Sequence, residues 1–147
     1  MKTVVLPEKL EEISDYLFYG CKSLETVYIN NTAETVSVGS KAFAGCTNLK
    51  EVEILYGVEE IFPNAFAGCS SLTSIVIPQS LISIRKYAFL NCWSLTNIEI
   101  PCSVLEIEGN ILCNTPALRS IKVDVQNQYY DSRNDCNAII ETSTGFL

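Results

Sequence analysis

The amino-acid sequence predicts a solenoid, in which one short structural unit recurs along the chain and each unit stacks on the next. Leucines return at a nearly constant spacing, and the same pattern of apolar residues follows each of them. The apolar content of 48% is also high enough to supply a continuous core. With 147 residues, the chain has the length of a single domain.

The first element of each unit is a short β-strand. Its leucine recurs at intervals of 25, 23, 23 and 23 residues, at Leu24, Leu49, Leu72, Leu95 and Leu118. Valine or isoleucine follows three and five residues later, as at Val52 and Ile54. Alternate side chains of a strand point the same way, so the pattern L-x-x-[IV]-x-[IV] predicts a strand with one apolar side. Val4 and Leu6 keep the same phase before the first leucine.

The rest of each unit is also in register. A second apolar pair follows the strand, as at Val58 and Ile61. Two extra residues shift this pair to Thr35 and Val38 in the second unit. Next comes a small residue followed by an aromatic one, as in Ala65-Phe66. A cysteine then forms the last column of equivalent residues, at Cys21, Cys46, Cys69 and Cys92.

Such a unit cannot bury its apolar side alone, and stacking at about 4.8 Å, the spacing of paired strands, would join the units into one core. The pattern in residues 1–123 therefore predicts five repeats of about 23 residues and a terminal strand. Their six parallel strands would form a concave face roughly 24 Å across. Residues 124–147 predict a divergent C-terminal repeat or a cap, because Asn127 and Tyr130 stand where the repeat needs apolar residues.

The complete pattern, I-x-I-P-x-x-[VL]-x-x-I-x-x-x-A-F-x-G-C-x-S-L, resembles the BspA-like (Treponema pallidum-type) leucine-rich repeat. Residues 75–97 match it almost position by position, and the resemblance covers roughly residues 1–123. It implies a leucine-rich-repeat solenoid of α/β type, mostly β with short helical turns. It also implies a surface or secreted protein that adheres to host or matrix proteins. The family has no catalytic motif to transfer to this chain.

The composition excludes several classes of function. The net charge is −7, and the ten lysines and arginines are scattered, which argues against a nucleic-acid partner and against docking on anionic lipid. No apolar run approaches the roughly 20 residues that span a bilayer. The chain has no histidine, so Ser-His and Cys-His nucleophile pairs and most zinc sites are ruled out. We therefore expect neither an enzyme nor a cofactor.

The cysteines and acidic residues have structural interpretations. The four column cysteines are predicted to lie in the core as small apolar side chains rather than to form disulfides or a metal site. Cys102, Cys113 and Cys136 lie off the column, and a disulfide among them stays open. Residues 131–135 resemble a calcium loop but lack its glycine and ligand spacing. The paired carboxylates are expected to be solvated, at Glu51, Glu53, Glu59, Glu60, Glu99, Glu106 and Glu108.

The outward side chains of the predicted concave face are the candidate binding residues, because solenoids present such surfaces to partners. They are Tyr28, Glu51, Glu53, Ser74, Val76, Asn97, Glu99 and Lys122. Two interpretations stay open for each residue: contact with a protein partner, or a place on an inert, solvated sheet. Tyrosine and valine among polar residues are compatible with a modest protein interface.

The predicted function is a non-enzymatic interaction or adhesion module, and the alternative is a structural spacer within a larger cell-surface protein. The first eight residues lack the apolar stretch of a signal peptide. We therefore expect either a cytoplasmic protein or a piece of a longer secreted chain. An uncapped sheet edge also favours end-to-end self-association of two copies.

Overall fold

A computed structural model describes residues 2–10, 12–30, 36–132 and 138–142, which form stacked repeats with two parallel sheets. The strands of the first sheet correspond to the predicted concave face. They are β1 (Thr3–Val5), β2 (Thr26–Asn30), β4 (Glu51–Tyr56), β6 (Ser74–Val76), β8 (Asn97–Ile100) and β10 (Ser120–Val123). The strands of the second sheet are β3 (Val36–Val38), β5 (Val58–Ile61), β7 (Ser83–Ile84) and β9 (Glu106–Ile107). An antiparallel pair follows, β11 (Tyr130–Asp131) and β12 (Ile140–Glu141).

The first sheet confirms the six predicted parallel strands and their register. Val27 of β2 lies beside Val52 of β4, which lies beside Ile75 of β6. The hydrogen-bonded ladder is divided, however, into the four strands β1-β2-β4-β6 and the pair β8-β10. Between the two parts, the amide of Thr96 donates to the carbonyl oxygen of Thr73 at 3.1 Å. The stack thus continues across the division.

The second sheet was not predicted as strands. Its inward residues are the second apolar pair of each repeat, and Ile61 lies beside Ile84, which lies beside Ile107. In the second repeat, Val36 rather than Thr35 is the partner of Val58. The sequence pattern predicts Thr35 as the first member of this apolar pair. Thr35 itself lies outside the described residues. The second to fifth repeats therefore each contribute two strands rather than one, and in the first repeat an isolated bridge joins Ile13 to Val38.

The predicted short helical turns are wrong, because the described residues form no helix. Each turn has bonds between residues three apart, as from the amide of Ala44 to the carbonyl oxygen of Lys41 at 3.1 Å. The turns also bond from repeat to repeat: the amides of Phe18, Phe43 and Phe66 donate to the carbonyl oxygens of Ala42, Ala65 and Ala88, at 2.7, 2.8 and 2.9 Å. Two positions in each turn have left-handed backbone, such as Lys41 (φ 54°) and Gly45 (φ 74°). Glycine or asparagine suits the second position, because both tolerate positive φ.

The core is a set of columns that run through the repeats. The phenylalanine column is the largest, with adjacent ring centroids 5.2, 5.2 and 5.7 Å apart and nearly parallel rings, at Phe18, Phe43, Phe66 and Phe89. The last three rings are completely buried. Leucine, valine and isoleucine from both sheets fill the space around this stack. The core is therefore continuous, as a solenoid requires.

The tail continues the path of the repeats with polar side chains. Asn127 is buried and lies 23 residues after Val104. Its side-chain amide nitrogen, Nδ2, donates to the backbone carbonyl oxygens of Pro101 and Val104 at 2.9 and 3.0 Å. The hydroxyl of Tyr130 accepts from the amide of Ile107 at 2.8 Å. The amide of Val123, in β10, donates to Ser132. These side chains satisfy backbone groups that another repeat would otherwise bond.

Candidate binding surface

The outward side of the first sheet holds all eight candidate residues in two adjacent rows. In one row Tyr28, Glu53 and Val76 are neighbours across β2, β4 and β6, and Glu99 pairs with Lys122 across β8 and β10. In the other row Glu51 is the neighbour of Ser74. Asn97 belongs to the same row through its pairing with Ser120. The alternation of strand side chains explains this arrangement, because the residues between the buried ones all face outward.

The surface has apolar as well as polar parts. Val5 and Val76 are 69% and 56% exposed, and Tyr28 is half-buried between Val5 and Glu53 along the row. Glu51, Asn97, Glu99 and Lys122 are exposed. The carboxylate of Glu99 lies 3.9 Å from the Lys122 amine, a distance and exposure at which an ion pair contributes little.

One border of this surface has a small charge network. The Glu25 carboxylate lies 2.9 Å from the Lys2 amine and 3.4 Å from that of Lys50. The hydrogen bond from Lys2, with the charges of Lys2 and Lys50, lowers the pKa of Glu25. Within the described chain, no lysine or arginine lies within ion-pair distance of Glu51 or Glu53. The centre of the sheet is thus acidic and its border is neutralised.

A second charged cluster lies on the second sheet and was not recognised in the sequence. Arg85 bonds to Glu60 at 2.6 Å, to Glu106 at 2.8 Å and to Glu108 at 3.4 Å. The hydrogen bond to Glu60, followed by the charges of all three carboxylates, raises the pKa of Arg85. The three acids come from two repeats and bind one guanidinium. Their arrangement therefore resembles a structural ion-pair network rather than a pair of catalytic carboxylates.

The cysteine column is buried, with one exception. The thiols of Cys46, Cys69 and Cys92 donate to the carbonyl oxygens of the phenylalanines one repeat earlier, at 3.1, 3.2 and 3.3 Å. Burial raises the pKa of Cys46 to about 11 and that of Cys92 to about 12. The prediction that Cys21 is buried is wrong, because it ends the column and no described repeat covers its outer side.

The cysteines off the column are also free thiols where they can be described. Cys102 is half-buried, with its sulfur 3.5 Å from Oε1 of Gln79, and Cys113 is exposed. Cys136 lies outside the described residues, as do residues 133–135 of the calcium-like stretch. Across the described ranges, no three His, Cys, Asp or Glu side chains form a group that could hold a metal ion.

These thiols are expected to differ strongly in reactivity, because the thiolate is the reactive species and burial disfavours it. An aromatic disulfide reagent should label Cys21 and Cys113 in the native protein. Cys46, Cys69 and Cys92 should react only after denaturation. Mass-spectrometric mapping of the labelled cysteines measures this difference. Rapid labelling of Cys69 in the folded protein would contradict the buried column.

None of the described residues belongs to a helix long and apolar enough to cross a bilayer.

Several solved structures share the fold. The T. pallidum leucine-rich repeat protein TpLRR is 36% identical with a TM-score of 0.76, over 82% of this chain and 57% of its own. A leucine-rich cell surface protein from Faecalibacterium prausnitzii is 26% identical with a TM-score of 0.70, over 98% and 43%. A leucine-rich repeat protein from Bacteroides ovatus is 29% identical with a TM-score of 0.68, over 91% and 39%. The chain therefore spans 39–57% of the length of these three proteins.

The comparison with curated proteins gives no significant match. The sequence model for the BspA type leucine rich repeat region, in contrast, matches residues 12–138 with 6 copies. This match covers most of the chain and agrees with the stacked repeats of the structure. The chain belongs to the BspA-type leucine-rich-repeat family.

Proposed function

We propose that the chain is a non-enzymatic protein-binding module and that its partner contacts the outward side of the first sheet. The observation that carries this proposal is the row formed by Val5, Tyr28, Glu53 and Val76, where four neighbouring strands present two exposed valines and a tyrosine around Glu53. Tyrosine and apolar side chains at the centre of a polar surface are typical of protein interfaces. The ladders of hydrogen bonds hold this surface in one shape, which lowers the entropic cost of binding.

The setting we propose is the cell surface or the extracellular space, where the chain would adhere to a host or matrix protein. The family and the similarity to a protein described as a leucine-rich cell surface protein support this setting. A spacer role is the second candidate. It is favoured by the coverage, because the match accounts for only 39–57% of each of three similar proteins.

A binding screen tests the two candidates. The purified chain is titrated against matrix, serum and epithelial surface proteins, while light scattering reports whether it is monomeric. We expect a saturable partner whose affinity falls about tenfold with Tyr28→Ala or Val76→Ser, because such central residues dominate interface energy. Leu105→Ser is the matched control, since Leu105 is also exposed, at 49%, but lies next to the second sheet.

The outcomes separate the candidates. Binding that depends on Leu105 but not on Tyr28 or Val76 would contradict the proposed surface. A folded, monodisperse protein that binds nothing in the screen would favour the spacer role.

A further inference from the structure

The centre of the first sheet has carboxylates without cations. Glu25 at the border has two lysines, and Glu99 on β8 has Lys122. On β4, in contrast, Glu51 and Glu53 have no lysine or arginine within 4.0 Å among the residues that the structure describes. They are two positions apart on one strand, so their side chains emerge on the same side, about 7 Å apart.

The two neighbours of Glu53 give this position its chemistry. Strand register puts the ring of Tyr28 next to it on β2 and the exposed side chain of Val76 next to it on β6. Directly paired side chains on adjacent strands are close enough to contact the same ligand group. Glu53 is also half-buried, whereas Glu51 is exposed. The Glu53 side chain is therefore partly shielded from solvent and lies between an aromatic and an aliphatic neighbour.

On this basis, which rests on the proposed function, we infer that the protein partner places an arginine side chain against Glu53 and Tyr28. A guanidinium can bond a carboxylate with two N–H groups and stack on an aromatic ring at the same time. The ammonium of lysine offers neither the fork nor the flat face. Glu51 adds negative charge beside the same position, and Val76 offers an apolar contact to residues that flank the arginine.

The acidic cluster of the second sheet does not compete as a site of this kind. Its carboxylates Glu60, Glu106 and Glu108 already bind Arg85. The attraction of a cation to a protein of net charge −7 is a general effect that every acidic residue shares. A test of the inference therefore has to separate this general attraction from recognition at Glu53.

The probe is the capped pentapeptide acetyl-Val-Ser-Arg-Ser-Val-amide, titrated into the ¹⁵N-labelled 147-residue chain. A control peptide has citrulline in place of arginine, which preserves the shape of the side chain and removes its charge. We expect the arginine peptide to shift the amide signals of Tyr28, Glu53 and Val76, and the citrulline peptide to bind about tenfold more weakly. The lysine version should also bind more weakly than the arginine version.

Three variants locate the effect. Glu53→Gln should weaken the arginine peptide about tenfold, Tyr28→Phe should leave its affinity nearly unchanged, and Tyr28→Leu should weaken it. Glu59→Gln is the matched control, because it changes the net charge equally, from −7 to −6, at a position on β5 of the second sheet. We expect this control to weaken binding far less than Glu53→Gln, because it removes only the general attraction.

Equal affinity for the citrulline peptide, equal weakening by Glu59→Gln, or no shifts on the first sheet would each overturn the inference. Its failure is distinguishable from failure of the proposed function. In one outcome, Tyr28→Ala still weakens binding of a protein from the screen while the arginine peptide does not bind. The proposed binding surface then stands, and the inferred arginine contact fails. If no protein contacts the first sheet, the proposed function fails as well.

Discussion

Replacing Phe66 by alanine is expected to lower the free energy of unfolding by about 3–5 kcal/mol. The ring is completely buried in the middle of the phenylalanine column, 5.2 Å from the ring of Phe43 and 5.7 Å from that of Phe89. Alanine would leave a cavity that the two neighbouring rings cannot fill, because the turn backbone above and below is fixed by hydrogen bonds between repeats. A domain is stable by only about 5–15 kcal/mol, so this is a large fraction of the total.

Urea denaturation followed by circular dichroism and by the fluorescence of Trp93, the single tryptophan, measures the loss. Phe18→Ala is the control, because Phe18 is half-buried at the end of the column and stacks on one ring rather than two. Its loss should be clearly smaller. Equal losses for the two variants would mean that burial in the column does not determine the contribution of each ring.

Gly39→Ala is expected to destabilise the protein by about 3 kcal/mol, although only one methyl group is added. A Cβ atom at this position would lie 2.5 Å from the carbonyl oxygen of Ile13 and 2.7 Å from the amide nitrogen of Asp15. Both atoms belong to the backbone and cannot rotate away. The amide of Gly39 also donates to that carbonyl oxygen at 2.8 Å, and the neighbouring Ser40 amide bonds the carboxylate of Asp15. Relief of the clash would therefore break these contacts between the first two repeats.

The control is Gly109→Ala, where a Cβ atom would meet nothing within 4 Å and the backbone is not left-handed. This variant should be neutral or slightly more stable, because alanine restricts the unfolded chain. Thermal unfolding of both variants compares them directly. If Gly39→Ala matched Gly109→Ala in its melting temperature, the close approach of the first two repeats would not constrain Gly39.

The sequence could predict the first sheet because its apolar residues alternate with a period of two, which is the period of a strand. The second sheet was missed because Val58 and Ile61 are three residues apart, and this spacing does not alternate. The sequence also predicted which residues align in a column more easily than it predicted whether each of them is buried. Cys21 has the same place in its repeat as Cys69, but its exposure depends on what covers the end of the column.

The candidate surface shows the same limit. Alternation alone was enough to put Tyr28 and Glu53 on one side of the sheet. It could not show that, among the residues the structure describes, a lysine lies near Glu99 and none lies near Glu53, because these relations join residues of different repeats. The network around Arg85 was missed for this reason. The tail residues Asn127 and Tyr130 were noticed as departures from the apolar pattern, but their bonds to backbone groups could be recognised only in three dimensions.

Among the described residues, the backbone hydrogen bonds between the turns all have one direction. From Phe18 through Phe43 to Phe66, each amide points toward the following repeat, and each carbonyl oxygen that accepts points toward the preceding one. Peptide dipoles of about 3.5 D that are aligned in this way add together. The turn stack therefore has an electric axis, negative at the first repeat and positive at the last. This polarity is opposite to that of an α-helix, in which the amides point toward the N-terminus.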